Sequence, residues 1–217
     1  MIKKRNMKRY IQIVKFFLPI ILGFSTFILV GFLMVPGLRI KYWPLITAYF
    51  FPPLGKESVI PTGIALGFHP LVIALTIAFV DIIIALFLLW NYNLAKKIPI
   101  VGKFMVKVEN IGKSSSDKYG WIKPLRFIGI ILFVIVPFQG SGGLVGSIVG
   151  RLIGMKPINT FYAITIGAIS GTILIAYFAD AIFSVFIQNI LFGLLIIIIL
   201  LVIAFMIYIY KRSKNSI

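Results

Sequence analysis

Cysteine is absent from the 217 residues, histidine occurs once, and only five residues are acidic. Without cysteine there is no disulfide scaffold, no thiol nucleophile and no cysteine-ligated zinc or iron–sulfur site. The lone histidine, His69, argues against a His-rich metal centre and against a Ser-His-Asp triad. Charged residues make up 12% and apolar ones 60%, against about 25% and about 45–50% in soluble globular chains. A soluble fold could not bury that much apolar surface, so the expected solvent is lipid. The excess of 22 Lys+Arg over 5 Asp+Glu could suit nucleic acid. The basic residues, however, flank apolar runs, as the positive-inside rule describes. The expectation is an integral membrane protein, not an enzyme, with no metal, no cofactor and no nucleic-acid partner.

A helix needs about 20 apolar residues to cross about 30 Å of hydrocarbon. Four runs meet that length: 16–35, 70–92, 158–178 and 190–210. The first follows a basic start, 1–15, and is too long for a signal-peptide core, so it reads as a retained anchor. The last ends in the basic tail 211–217. Two further apolar stretches are broken in the middle. Residues 42–67 carry Pro52-Pro53-Leu54-Gly55-Lys56-Glu57, with ten residues on each side. Residues 121–154 carry Pro137-Phe138-Gln139-Gly140-Ser141-Gly142-Gly143. Ten helical residues reach about 15 Å, half a bilayer. Each stretch is therefore expected to form a re-entrant helical hairpin, turning at Pro52, Pro53 and Gly55 or at Pro137, Gly140, Gly142 and Gly143.

Charge orients this arrangement. With a cytoplasmic N-terminus, four spans and two re-entrant hairpins, both termini and the lysine-rich loop 93–120 lie inside. Arg39 and Lys41 lie outside. A full span at 121–138 would instead export the basic tail, against the rule. The protein is thus expected to be multi-pass in the cytoplasmic membrane, its first hairpin entering from outside and its second from inside. The landmarks Pro-x-x-Gly (Pro52–Gly55, Pro137–Gly140) and Gly-x-basic-Pro (Gly67–Pro70, Gly154–Pro157) recur in order. Together these predict an all-α fold of four transmembrane helices and two oppositely oriented re-entrant hairpins forming an inverted repeat. In secondary transporters such broken segments meet near the midplane and mark the site.

An ionisable group at depth costs about 2.5–3.5 kcal/mol on insertion scales and normally faces a cavity or a partner. Glu57 at the first tip and Asp81 in mid-span are the carboxyls so placed, able to take up and release a proton during transport. Alternatively Glu57 caps the helix starting near Ser58, and Asp81 makes a packing hydrogen bond. Lys56 contributes to the site or neutralises Glu57. Arg126 and Arg151 snorkel to the inner face or hold an anionic headgroup. Gln139 and Ser141 offer polar groups at the second tip, or belong to a tight turn. His69 and Asp180 read as interfacial, and Gly167-x-x-x-Gly171 as helix packing.

The segments Gly55-Lys56-Glu57-Ser58-Val59-Ile60-Pro61-Thr62-Gly63-Ile64 and Pro137-Phe138-Gln139-Gly140-Ser141-Gly142 carry a resemblance. Over about residues 42–178 the chain resembles the small multi-drug export protein family. That family's pattern is an acid ahead of Ile-Pro-x-Gly-Ile, then Pro-x-x-Gly-[Ser/Thr]-Gly. Glu57 matches the acid; Pro137, Gly140 and Ser141 match the second segment. The family in turn resembles the DedA/VTT superfamily, which implies opposed re-entrant hairpins and proton-coupled export or lipid movement. DedA proteins carry two arginines bracketing a proline in the second hairpin, whereas Gly140 and Ser141 follow Pro137 here. The expected function is secondary transport of an amphipathic or lipid-like substrate, coupled to a proton or monovalent cation, with the site between the tips. An uncoupled scramblase or channel and a small-drug exporter are the alternatives, and a scaffold ranks last. Membrane lipids are the expected partners, and a homo-oligomer is compatible with this reading.

Overall fold

Proline and glycine punctuate the chain into helices. The computed structural model describes residues 2–51, 54–95, 122–137, 142–188, 199 and 206. These residues form α1 (Ile2–Leu33), α2 (Pro36–Ala48), α3 (Lys56–Ala65), α4 (Pro70–Trp90), α5 (Tyr92–Ala95), α6 (Ile122–Ile135), α7 (Gly143–Leu152) and α8 (Pro157–Gln188). Proline opens α2, α4 and α8, where its missing N–H would have no helical partner anyway. Within these helices Tyr10–Leu33, Pro70–Trp90 and Pro157–Ser184 are long and apolar enough to cross a membrane. The protein is therefore an all-helical multi-pass membrane protein over the residues described. The expected fourth span, 190–210, lies outside them apart from Ile199 and Met206, as do Pro52, Pro53, Gln139, Gly140, Ser141, most of the 93–120 loop and the tail.

Some boundaries differ from expectation. Helix α1 begins inside the basic start, at Ile2. Helix α2 begins at Pro36, ahead of the expected hairpin start at 42, and runs 13 residues, so Arg39 and Lys41 are helical. The reason is local. Pro36 starts the helix at N1, and Arg39 reaches back to the carbonyls of Phe32 and Met34, at 2.7 and 3.2 Å. Those groups end α1 and lack helical donors.

The chain divides into two compact units, Met1–Ala176 and Tyr177–Ile217; the second includes the last turns of α8. In the first, α4 packs against α1, α3 and α7, while α2 packs on α3 and α6 on α7. Its core joins Ala78, Ala85, Ile130, Val134, Ala163, Ile164 and Ala168. Alanines and glycines allow close helix approach where lipid supplies no hydrophobic drive. A Cβ at Gly171 would meet the Ile135 backbone at 2.9 Å, and one at Gly167 the Ile131 carbonyl at 2.8 Å. The Gly167–Gly171 pair therefore serves packing.

Helices α3 and α7 share a construction. Each runs ten residues from an extended N-capping glycine, Gly55 or Gly142. Each ends in a left-handed glycine, Gly67 (φ 96°) or Gly154 (φ 80°). Each closes with the same bond, Phe68 N to Gly63 O or Met155 N to Gly150 O, both 3.0 Å. Proline then opens the next helix. This is the glycine stop followed by a proline start. Both glycine pairs lie 87 positions apart, so among the described residues Gly142 takes the capping place in α7 that Gly55 takes in α3. Helix α3 leads through Gly67 into the start of α4. The end of α7 sets the Arg151 guanidinium 4.9 Å from the Tyr92 ring, beyond the other end of α4.

Candidate functional site

Asp81 stands in the middle of α4, about 16 Å from its start and about 14 Å from its end at about 1.5 Å per residue. It is only 1% exposed. Its Oδ1 accepts two hydrogen bonds, from the Tyr49 hydroxyl at 2.7 Å and from the Gly143 amide at 2.8 Å. Gly143 is the first residue of α7, so the carboxylate caps that helix and faces the positive end of its dipole. Glycine is required there: a Cβ would lie 2.7 Å from the carbonyl carbon of Asp81 and 3.0 Å from its Cα. The other oxygen, Oδ2, is buried without a hydrogen-bond partner.

Lys56, the first residue of α3, is 2% exposed. Its ammonium donates to the Val134 carbonyl, in the last turn of α6, where carbonyls have no helical donor. A cation at a helix C-terminus complements its dipole. Lys56 also interacts electrostatically with Asp81 and with Glu57. Glu57 occupies the first turn of α3, which begins two residues before Ser58. Its carboxylate folds back over Gly55, where a Cβ would approach its carboxyl carbon to 2.7 Å. Like that of Asp81, one Glu57 oxygen, Oε2, is buried without a partner. The end of the α2 segment, the start of α3, the middle of α4 and the flanks of the α6–α7 break thus converge on Tyr49, Lys56, Glu57 and Asp81.

The two arginines sit elsewhere. Arg151 follows Gly143 by eight residues, about 12 Å of helix, and donates to the Met155 carbonyl at 2.8 Å. The Arg126 guanidinium lies at the same turn, 3.5 Å from where a Gly154 Cβ would stand. The structure gathers both at the α7–α8 turn and not with the carboxylates. His69 caps α4, its Nδ1 accepting from Leu71 N at 3.3 Å. Gln139 and Ser141 lie outside the described residues. Among those described, no three His, Asp or Glu side chains gather to hold a metal. Two participants escaped sequence reasoning. Tyr49 had a signal, a phenol at the end of an apolar arm that needs a partner once buried. The Val134 carbonyl had none, because any residue could present it.

Residues 57–174, more than half of the chain, match the family described as "Putative small multi-drug export protein". The chain belongs to this family. Nothing among curated proteins or solved structures matches it. The segment that defines this small multi-drug export protein starts at Glu57 and takes in Asp81, Val134 and Gly143. Lys56 and Tyr49, which complete the cluster, lie just ahead of it.

Proposed function

We propose that this small multi-drug export protein is a secondary transporter of DedA/VTT-like type. It moves an amphipathic or lipid-like molecule across the cytoplasmic membrane, coupled to a proton or monovalent cation. In this reading α2–α3 and α6–α7 are re-entrant hairpins entering from opposite sides. Their shared construction and their two ends at opposite ends of α4 support an inverted repeat. The observation that carries the coupling is the cluster at mid-span. Two carboxylates against one ammonium leave one net negative charge, with Lys56 and Asp81 nearly fully buried, Glu57 half-buried, and one oxygen of each carboxylate buried without a partner. Burial disfavours such a charge, so a proton or cation neutralises it when the site is closed.

The test is reconstitution in liposomes, following a fluorescent lipophilic amine and a fluorescent phospholipid with and without an imposed pH gradient. Gradient-driven flux that Glu57→Gln and Asp81→Asn abolish is the expected result. Equal flux at every pH in wild type and in both variants would refute coupling. The alternative is an uncoupled scramblase. It draws support from Asp81 Oδ1, which already serves as a helix cap, and predicts lipid movement without a gradient.

A further inference from the structure

The break between α6 and α7 is held at both edges by side chains from outside that helix pair. Lys56 of α3 takes the last-turn carbonyl of α6, and Asp81 of α4 takes the first amide of α7. The signs are matched: a cation at a helix C-terminus and an anion at a helix N-terminus, both nearly fully buried. Gly143 lets the start of α7 approach the α4 backbone closely enough for the second bond. We infer that Lys56 and Asp81 form a two-point electrostatic clasp on this break: neutralising Asp81 frees the start of α7 while Lys56 keeps the end of α6 in place.

The charged state of Asp81 is what strengthens its bond, since hydrogen bonds to ionised groups are about twice as strong as neutral ones. The titratable groups that face it are Tyr49 and Lys56, and Glu57 acts electrostatically on both of these. Helix α7 brings only Arg151, at its far end, and the basic residues of α1 all precede Phe16. Proton binding therefore weakens the hold on α7 directly, while the Lys56 bond to Val134, to which Asp81 contributes no atom, stays made. The two short helices that flank the break are thereby given separate controls. Lys56 is a positioning residue in this device, and Asp81 is its trigger.

The native chain has no cysteine, so single thiols report cleanly. Ser147→Cys, one turn into α7 and buried in the native state, reports on the start of α7. Ile135→Cys reports on the end of α6. Labelling by a membrane-permeant maleimide in reconstituted liposomes is divided by that of the exposed control Leu94→Cys, which cancels thiol ionisation. Acidification should speed labelling at Ser147→Cys about five- to tenfold and leave Ile135→Cys unchanged. Asp81→Asn should give the fast rate at every pH. Lys56→Met should speed Ile135→Cys instead, and Lys56→Arg should restore the slow rate.

A Ser147→Cys rate indifferent to pH would overturn the clasp; that series needs no change at Asp81 and holds even where Asp81→Asn does not fold. Both thiols moving together under either substitution would also overturn it, as general loosening. The clasp takes from the transport reading only the neutralisation of Asp81, and its readout contains no transport. Flux indifferent to pH beside a pH-sensitive Ser147→Cys rejects coupling alone, while the converse rejects the clasp alone.

Discussion

Gly143→Ala is the sharpest perturbation of the packing that builds the site. The new Cβ would lie 2.7 Å from the carbonyl carbon of Asp81 and 3.0 Å from its Cα. These are backbone atoms of a spanning helix and cannot rotate away. Overpacking of this kind costs about 1–3 kcal/mol. If α7 withdraws to relieve it, the amide bond to the Asp81 carboxylate is lost as well, costing about 1.5–3 kcal/mol more. The combined loss is about 2.5–6 kcal/mol. In a chain of this size each kcal/mol moves the midpoint by about 2–4 °C, so the melting temperature should fall by about 5–24 °C. Circular dichroism at 222 nm during heating in detergent measures it. Gly129→Ala is the control, because no atom lies within 4 Å of a Cβ there. The alanine favours the helix by up to about 1 kcal/mol, so Gly129→Ala should melt at or slightly above wild type. A Gly143→Ala protein melting within about 2 °C of wild type would refute the close approach of α7 to α4, and with it the cap on α7.

Gly67→Ala and Gly154→Ala should each lose about 1–2 kcal/mol in the same thermal assay, because alanine resists their left-handed backbone. Space is not the cause: the nearest atoms to those Cβ positions lie at 3.8 and 3.5 Å. Lys56→Met should destabilise by about 3–5 kcal/mol, since it leaves the carboxylates uncompensated. Asp81→Asn, which leaves Lys56 balanced by Glu57, should cost about 1.5–3 kcal/mol through its weakened bonds to Gly143 and Tyr49. The double variant should lose less than the sum by about 0.5–3 kcal/mol, measured by urea unfolding in micelles, and strict additivity would disprove their coupling. For topology, single cysteines at Lys107 and Asn215 should react with an impermeant thiol reagent only from the cytoplasmic side, and one at Lys41 only from outside. Labelling of Asn215→Cys from outside would reverse the assignment of the C-terminus.

What the sequence by itself determined is local. Run length and composition place the bilayer and the spans, since one helix crosses by satisfying its own backbone. Proline starts and glycine stops mark α3, α4, α7 and α8 because their backbone restrictions act within one or two residues. Glu57 and Asp81 stood out as carboxyls in apolar surroundings for the same reason. The site itself joins residues far apart in the chain. Tyr49 meets Asp81 across 32 positions, Asp81 meets Gly143 across 62, and Lys56 meets Val134 across 78. Periodicity and composition carry no information at that range. Only the packed helices decided that Asp81 is the hub of the cluster and that Lys56 serves the end of α6. Packing also sent Arg126 and Arg151 to the α7–α8 turn, although the sequence places them within an expected hairpin as it does Lys56 and Glu57. That Gly55 and Gly142, 87 positions apart in the sequence, each cap a ten-residue helix likewise needed the backbone.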